Sequence, residues 1–140
     1  MLRITKIFHF EMAHAINGYD GACKNIHGHS YELHVTVSSD DDKDYISAPG
    51  FVIDFKEIKK LVKTSIIEKL DHKLVLSEGF VAKNSLFNNE ENIIIWKVEP
   101  SAENILIYIR NILFEKISGS TKLVQLKLYE TKDSFAEWTS

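Results

Sequence analysis

Residues Leu2–His14, LRITKIFHFEMAH, carry the reading from which the fold follows. Their even positions are Leu2, Ile4, Lys6, Phe8, Phe10, Met12 and His14, whereas the odd ones are mostly polar: the two-residue period of a strand with one face buried. His14 closes the apolar face. Residues 15 to 28 hold three glycines and neither period, and so read as a loop of functional length. From His29 the alternation resumes, with Tyr31, Leu33, Val35 and Val37 on one face and Ser30, Glu32, His34 and Thr36 on the other. His29 thus opens a second strand on its apolar side. If the two strands pair as a hairpin across the loop, the end of the first and the start of the second are neighbours.

Further along, the run Asp40 to Asp44 (DDDKD) reads as a solvated turn continuing loosely to Gly50. Asp54, with Glu57 three residues on, has the form of a capping box, and Phe55, Ile58, Leu61, Val62, Ile66 and Leu70 follow at helical spacing. Lys56, Lys59, Lys60 and Lys63 occupy the wet side as solvating charge, with an anionic ligand as the alternative. Asp71-His72 falls where this helix runs out. Residues 77 to 91 read as a polar loop and Ile93 to Val98 as a short buried strand. A second helix starts at Pro100-Ser101 with Ser101 as N-cap, carries the stripe Ile105, Leu106, Ile109, Ile112, Leu113 and Ile117, and stops at Gly119. From Lys122 to Thr131, Val124, Leu126 and Leu128 share a face that ends in Glu130, and a last short strand lies around Phe135 to Trp138. The order predicts an α+β domain spanning 1–140, with helices on one side of an antiparallel sheet. The helices at 54–70 and 101–117 argue against a small all-β barrel.

Composition sets the boundaries. The chain has 140 residues, 44% of them apolar, and 17 Lys and Arg against 20 Asp and Glu give a net charge of −3. A chain this long buries roughly 68–70% of its unfolded surface, enough for a core without staples. Its single cysteine, Cys23, excludes an internal disulfide and points to a reducing compartment. The pI of 6.1 argues against a nucleic-acid partner read through a basic face. No run approaches the roughly 18 apolar residues of a membrane span. Lys6, His9, Glu11 and His14 interrupt any signal-peptide core, so the expectation is a cytoplasmic protein.

His27-Gly28-His29 is the most informative triplet. Residues two apart in an extended segment point to the same side, so both imidazoles can approach one ion, and His14 is placed to be the third ligand. Three neutral imidazoles with an open position are the composition of a catalytic zinc site. Cys23 reads either as a fourth ligand closing a structural Cys-His site or as a free thiol beside the metal, acting as base or nucleophile. Filler in a core is the bland alternative. Asp71-His72 could orient an imidazole, but adjacency alone favours a polar helix end. Glu130 stands either at the wet rim or in a pocket, where it could accept hydrogen bonds from the amidine edge of a heterocycle. Glu103 is explained by the helix dipole, and His9 and His34 read as surface residues.

Phe10-Glu11-Met12-Ala13-His14, Cys23 to Tyr31, Leu70-Asp71-His72, Pro100 to Asn104 and Glu130-Thr131 occur in an order that closely resembles the 6-pyruvoyl-tetrahydropterin synthase family, from about residue 3 to residue 138. The three residues between Cys23 and His27 resemble its bacterial branch, the 6-carboxy-5,6,7,8-tetrahydropterin synthases of queuosine biosynthesis. The resemblance implies the tunnelling fold: a four-stranded antiparallel sheet with two helices on one face, joined to others as a barrel in trimers that stack into hexamers with shared pockets. It also implies zinc on His14, His27 and His29, Cys23 as proton-abstracting thiolate, Asp71 and His72 as proton relay, Glu130 as pterin anchor and Ser101 beside the ring. The implied reaction is a carbon–carbon and carbon–oxygen lyase step on 7,8-dihydroneopterin triphosphate, giving the 6-carboxy product with acetaldehyde and triphosphate, or the 6-pyruvoyl product. Ser101 stands where the family usually has Thr, which keeps the hydroxyl. Val75-Leu76 stands where it often has Leu-Asn. Lys24 is the one suggested phosphate contact. A non-catalytic module with a structural Cys-His zinc site is the reading from a different class.

Overall fold

The computed structural model describes residues 1–39, 44–84 and 91–140. Asp40 to Lys43 of the acidic run lie outside these, as do residues 85–90 of the segment expected to be a loop.

The alternating stretches form the expected hairpin. Strand β1 (Arg3–His14) pairs antiparallel with β2 (His27–Ser39) in an unbroken register from Arg3↔Ser38 to His14↔His27. β5 (Thr121–Thr131) joins the other edge of β2, and β6 (Ser134–Thr139) turns back along β5, both antiparallel. The sheet is larger than the four antiparallel strands expected. β3 (Lys73–Ser77) runs parallel to β1 and β4 (Ile93–Trp96) parallel to β3, so the order is β4-β3-β1-β2-β5-β6 in a six-stranded mixed sheet. β3 escapes a period-two reading because Val75 and Leu76 are both fully buried, one on each face. β4 is less covered than expected, with Ile95 half exposed.

The first long helix comprises α1 (Phe55–Val62), a π-helical stretch Lys63–Ile67 and a closing turn α2 (Glu68–Leu70). Asp54 caps it by accepting from the Lys56 amide at 2.8 Å. The π stretch has a reason in the sequence. Ile58, Val62, Ile66 and Leu70 are all buried and each four residues apart, a spacing that drifts by about 40° per step on a straight α-helix. Wider winding at 63–67 keeps all four on the core. Phe55, expected on this stripe, is instead half exposed.

Part of the expected loop at 77–91 is helical: α3 (Glu78–Lys83) is capped by Ser77, whose Oγ accepts from the Phe80 amide at 3.0 Å. α4 (Ala102–Lys116) is capped by Ser101 as expected, and Gly119 follows it with φ +86°. The core lies between one sheet face and the helices: Phe8, Phe10 and Met12 of β1, Tyr31, Leu33, Val35 and Val37 of β2, and Leu126 and Leu128 of β5 meet the α1–α2 stripe and Ile105, Ile109 and Leu113 of α4. Burying each such side chain is worth about 1.5–3 kcal/mol.

Two irregularities in β5 matter later. Register shifts leave Val124 as an extra residue opposite β2 and Glu130 as an extra residue opposite β6. The first buries Leu123 beside Val124, so two consecutive residues are buried where alternation predicts one, and Leu123 joins Leu126 and Leu128 in the core.

Candidate active site

The hairpin register brings the three histidines together. His14 and His27 are direct cross-strand partners, and His29 stands two residues further along β2. Ring centroids lie 4.6 Å (His14–His27), 5.1 Å (His14–His29) and 4.9 Å (His27–His29) apart. One nitrogen from each ring lies within 4.8 Å of the others, the one such group of potential metal ligands among the described residues.

Backbone carbonyls set two of the tautomers. His14 Nδ1 lies 2.6 Å from the Pro100 carbonyl and His27 Nδ1 2.7 Å from that of Asn25. A carbonyl only accepts, so each Nδ1 carries a proton and, in the neutral ring, each Nε2 presents a lone pair. These two Nε2 atoms are 3.1 Å apart. Two lone pairs at that distance repel unless a cation or a shared proton lies between them, so the contact is not an ordinary hydrogen bond. His29 Nε2 is buried without a hydrogen-bond partner. Burial pushes the pKa values of His14 and His29 down, against the opposing pull of Glu130, which keeps both rings neutral. Three converging ring nitrogens, two of them on rings whose Nδ1 atoms are held by carbonyls, fit a borderline-soft divalent cation such as zinc.

Glu130 is the extra residue of the second β5 bulge, and its carboxylate lies 3.7 Å from His29 Nε2 and 3.8 Å from His14 Nε2. Under the histidines, Tyr31 stacks on Phe10 at 5.0 Å and meets the rings of His29 and His14 edge-on. Burial, then the Glu130 charge, pushes the Tyr31 phenol far above its ordinary pKa, so it stays protonated. The site therefore has a hydrophobic floor with one hydroxyl in it.

Beside the histidines lies a cavity of about 500 Å³, lined by His14, Cys23, Ser101, Glu103 and Glu130 together with Tyr19 and Phe135. Cys23 is exposed on its wall, within a 3-10 turn Ala22–Lys24, and its sulfur is not among the converging ligand atoms. Ser101 Oγ accepts from the Asn104 amide at 3.2 Å. Lys24 faces a different cavity, bounded by Asn17, Phe80 and Asn84.

Asp71 and His72 do not line the cavity. Asp71 ends α2 in an extended conformation, and His72 takes the left-handed conformation with φ 59°. That turn swings two adjacent side chains together: His72 Nδ1 lies 3.0 Å from Asp71 Oδ2. The pair is clipped to β1 at Glu11, whose amide donates to Asp71 Oδ1 at 2.8 Å and whose carbonyl accepts from the His72 amide at 2.6 Å. Burial alone would raise the Asp71 pKa, but the Glu11 amide and His72 outweigh it and hold the carboxyl below its usual value. The His72 side chain is 78% exposed.

Similarity to known proteins identifies the family. Residues 3–140 match the family described as 6-pyruvoyl tetrahydropterin synthase. The chain belongs to that family. It is 31% identical to the 6-carboxy-5,6,7,8-tetrahydropterin synthase of Rickettsia bellii, over 98% of this chain and 99% of the relative, and 32% identical to that of Haemophilus influenzae, over 99% of each. Among solved structures it resembles an uncharacterized protein from Wolinella succinogenes, with a TM-score of 0.80 at 19% identity, covering 99% of this chain and 98% of that one. The 6-pyruvoyl tetrahydropterin synthase of Plasmodium falciparum gives 0.74 at 24%, covering 99% and 97%. The fold of this family member is thus the tunnelling fold, with six strands in its sheet rather than four.

The sequence explains Glu103 by the helix dipole alone and marks neither Tyr19 nor Phe135 as a site residue. In the fold a Cβ at Gly21 would lie 2.3 Å from the Tyr19 ring, so this loop glycine makes room for an aromatic residue. His9 is exposed as expected, whereas His34 is half buried and lies 2.5 Å from Glu32.

Proposed function

We propose that this family member, acting as one domain over 1–140, is a zinc-dependent lyase converting 7,8-dihydroneopterin triphosphate to 6-carboxy-5,6,7,8-tetrahydropterin in cytoplasmic queuosine biosynthesis. Triphosphate and acetaldehyde leave. The substrate side chain brings two hydroxyl oxygens and the products need three, so one water is consumed. The observation that carries the reading is the convergence of His14, His27 and His29, with two Nδ1 atoms locked on carbonyls and the Nε2 of His29 buried and unpartnered.

His14, His27 and His29 would hold the zinc, which when bound supplies Lewis acidity to the substrate hydroxyls. Cys23, on the cavity wall, takes a proton from the substrate side chain. Asp71 holds the His72 Nδ1 proton, leaving Nε2 to exchange one with the reacting carbons. Glu130 accepts hydrogen bonds from the amidine edge of the pterin, and the Ser101 hydroxyl, which accepts from the Asn104 amide, still has its proton to donate to the ring. That Asp71 and His72 do not line the cavity supports a site completed between copies, one supplying Cys23 and the histidines and the next its Asp71-His72. That assembly is the trimer or hexamer of a homo-oligomer.

The 6-pyruvoyl product is the second reading, favoured by the family description itself. Incubation with dihydroneopterin triphosphate separates the two: acetaldehyde release supports the carboxy product, and pyruvoyl product without acetaldehyde sinks it. The position of the Cys23 sulfur outside the ligand group weighs against the structural Cys-His module. Cys23→Ala should keep about one zinc per chain and its fold while losing turnover. Loss of zinc and folding together would restore the structural module.

A further inference from the structure

Cys23 sits on a turn that contributes nothing to the apolar core. No residue of the Ala22–Lys24 turn is buried, and residues 22–26 are exposed throughout. Hydrogen bonds must therefore place the thiol. Within the loop, the Ile16 amide donates to the Cys23 carbonyl at 2.8 Å, which ties the cysteine to the residue two beyond His14. The next amide, that of Asn17, donates out of the loop, at 2.6 Å to Glu99 Oε1. A carboxylate acceptor makes this a strong, charge-assisted bond. Asn17 is also confined on its side-chain side, since a Cβ at Gly79 would lie 2.8 Å from Asn17 Nδ2.

Glu99 is itself fixed from behind. Asn104 Nδ2 donates to the Glu99 carbonyl at 2.9 Å, and the Asn104 amide is held by the Ser101 hydroxyl. The following residue, Pro100, is buried, and its carbonyl is the acceptor that sets the His14 tautomer. The tripeptide Glu99-Pro100-Ser101 thus touches the cysteine loop, a candidate metal ligand and the cavity wall with consecutive residues.

We propose that Glu99 is a positioning residue for Cys23: through the Asn17 amide its carboxylate registers the cysteine loop to the same backbone that orients His14. The inference rests on reading Cys23 as the proton-abstracting group. Glu99 itself does not line the cavity and acts only through the loop.

The test uses the zinc-loaded full chain with Glu99→Ala, Glu99→Asp and Glu99→Gln, reading zinc content, Asn17 amide hydrogen exchange, the alkylation rate of Cys23 by iodoacetamide, kcat and KM. Glu99→Ala removes the acceptor. Asn17 exchange should then rise and the alkylation rate change, while kcat falls by about 10- to 100-fold with KM within about twofold and zinc retained. Glu99→Gln keeps an oxygen in reach and should rescue kcat to within about threefold of the parent. Glu99→Asp keeps the charge but withdraws it by a methylene, so it should behave like Glu99→Ala and carries the test if Glu99→Ala does not fold. The proposal is overturned if the acceptor-removing variants keep parental exchange, alkylation and kcat, if Glu99→Gln is as impaired as they are, or if zinc is lost with activity. Failure of the underlying reading looks different: Cys23→Ala would keep turnover, while the exchange and alkylation effects of Glu99 persisted.

Discussion

Two places where this chain gathers titratable side chains are built in opposite ways. His14, His27 and His29 stand on a regular antiparallel ladder, where strand period and register alone bring them to one point. Asp71 and His72 meet only because the backbone leaves regular structure, with one residue extended and the next left-handed. The first group is largely sheltered, while the His72 side chain is 78% exposed. A regular element can make a rigid ligand set by itself. A pair of neighbouring side chains needs local strain, and a partner that reaches it.

The largest effect expected from breaking this contrast is at the ladder. His27→Ala or His29→Ala should take zinc from about one per chain to near zero and abolish turnover, read by metal analysis and product assay. Metal retained at the parental level would overturn the ligand assignment. Next is the strained pair: His72→Ala should keep zinc and lower kcat by about 10²- to 10⁴-fold, the range of general acid–base groups. If sites are shared, co-assembling His72→Ala with Cys23→Ala chains should restore turnover that neither variant has alone, because some pockets then carry both intact groups. Failure of that complementation would place a whole site within one chain.

A smaller effect isolates the strain. At φ 59° glycine sits without penalty, so His72→Gly should unfold about 1 kcal/mol harder than His72→Ala while being equally inactive. Equal stabilities would mean that the turn is not strained.

The smallest effect is in pH, and it separates the two regions. In the metal-free chain, burial holds His14 and His29 below their ordinary value of 6.5, so the unfolded chain takes up protons first as pH falls. Denaturant-measured stability should therefore be full above about pH 6.5 and decline beneath it. Asp71, held below 3.8, contributes stability present above that value and lost as pH falls through its depressed folded-state pKa. Asp71→Asn should remove the Asp71 share of the acid-side loss and leave the loss beginning below pH 6.5 unchanged.

Legibility in the sequence followed the same division. β1, β2, the two long helices and the cap residues Asp54 and Ser101 were readable because each follows from a local period or a local hydrogen bond. β3 was not, because a strand buried on both faces has no alternation, and α3 was not, because a six-residue helix is too short to show a stripe. Asp71-His72 was discounted because neighbours in regular structure diverge, an inference that a single left-handed residue reverses. The role of Glu99 had no local signal at all, since its partner Asn17 is 82 residues away.

What the sequence determined by itself was periodic or contiguous: which segments pair, which face of each is apolar, and that His14, His27 and His29 sit at the facing ends of two such segments. The five ordered motifs also carried the family. Tertiary structure decided what depends on contacts between distant segments. The Pro100 carbonyl chose the tautomer of His14, a bulge set Glu130 beside the histidines, and the Cys23 loop came to rest on Glu99. Periodicity reports only which side of an element is buried. The proton on a ring nitrogen is decided by an acceptor less than 3 Å away, and where that acceptor comes from is settled only when the chain has folded.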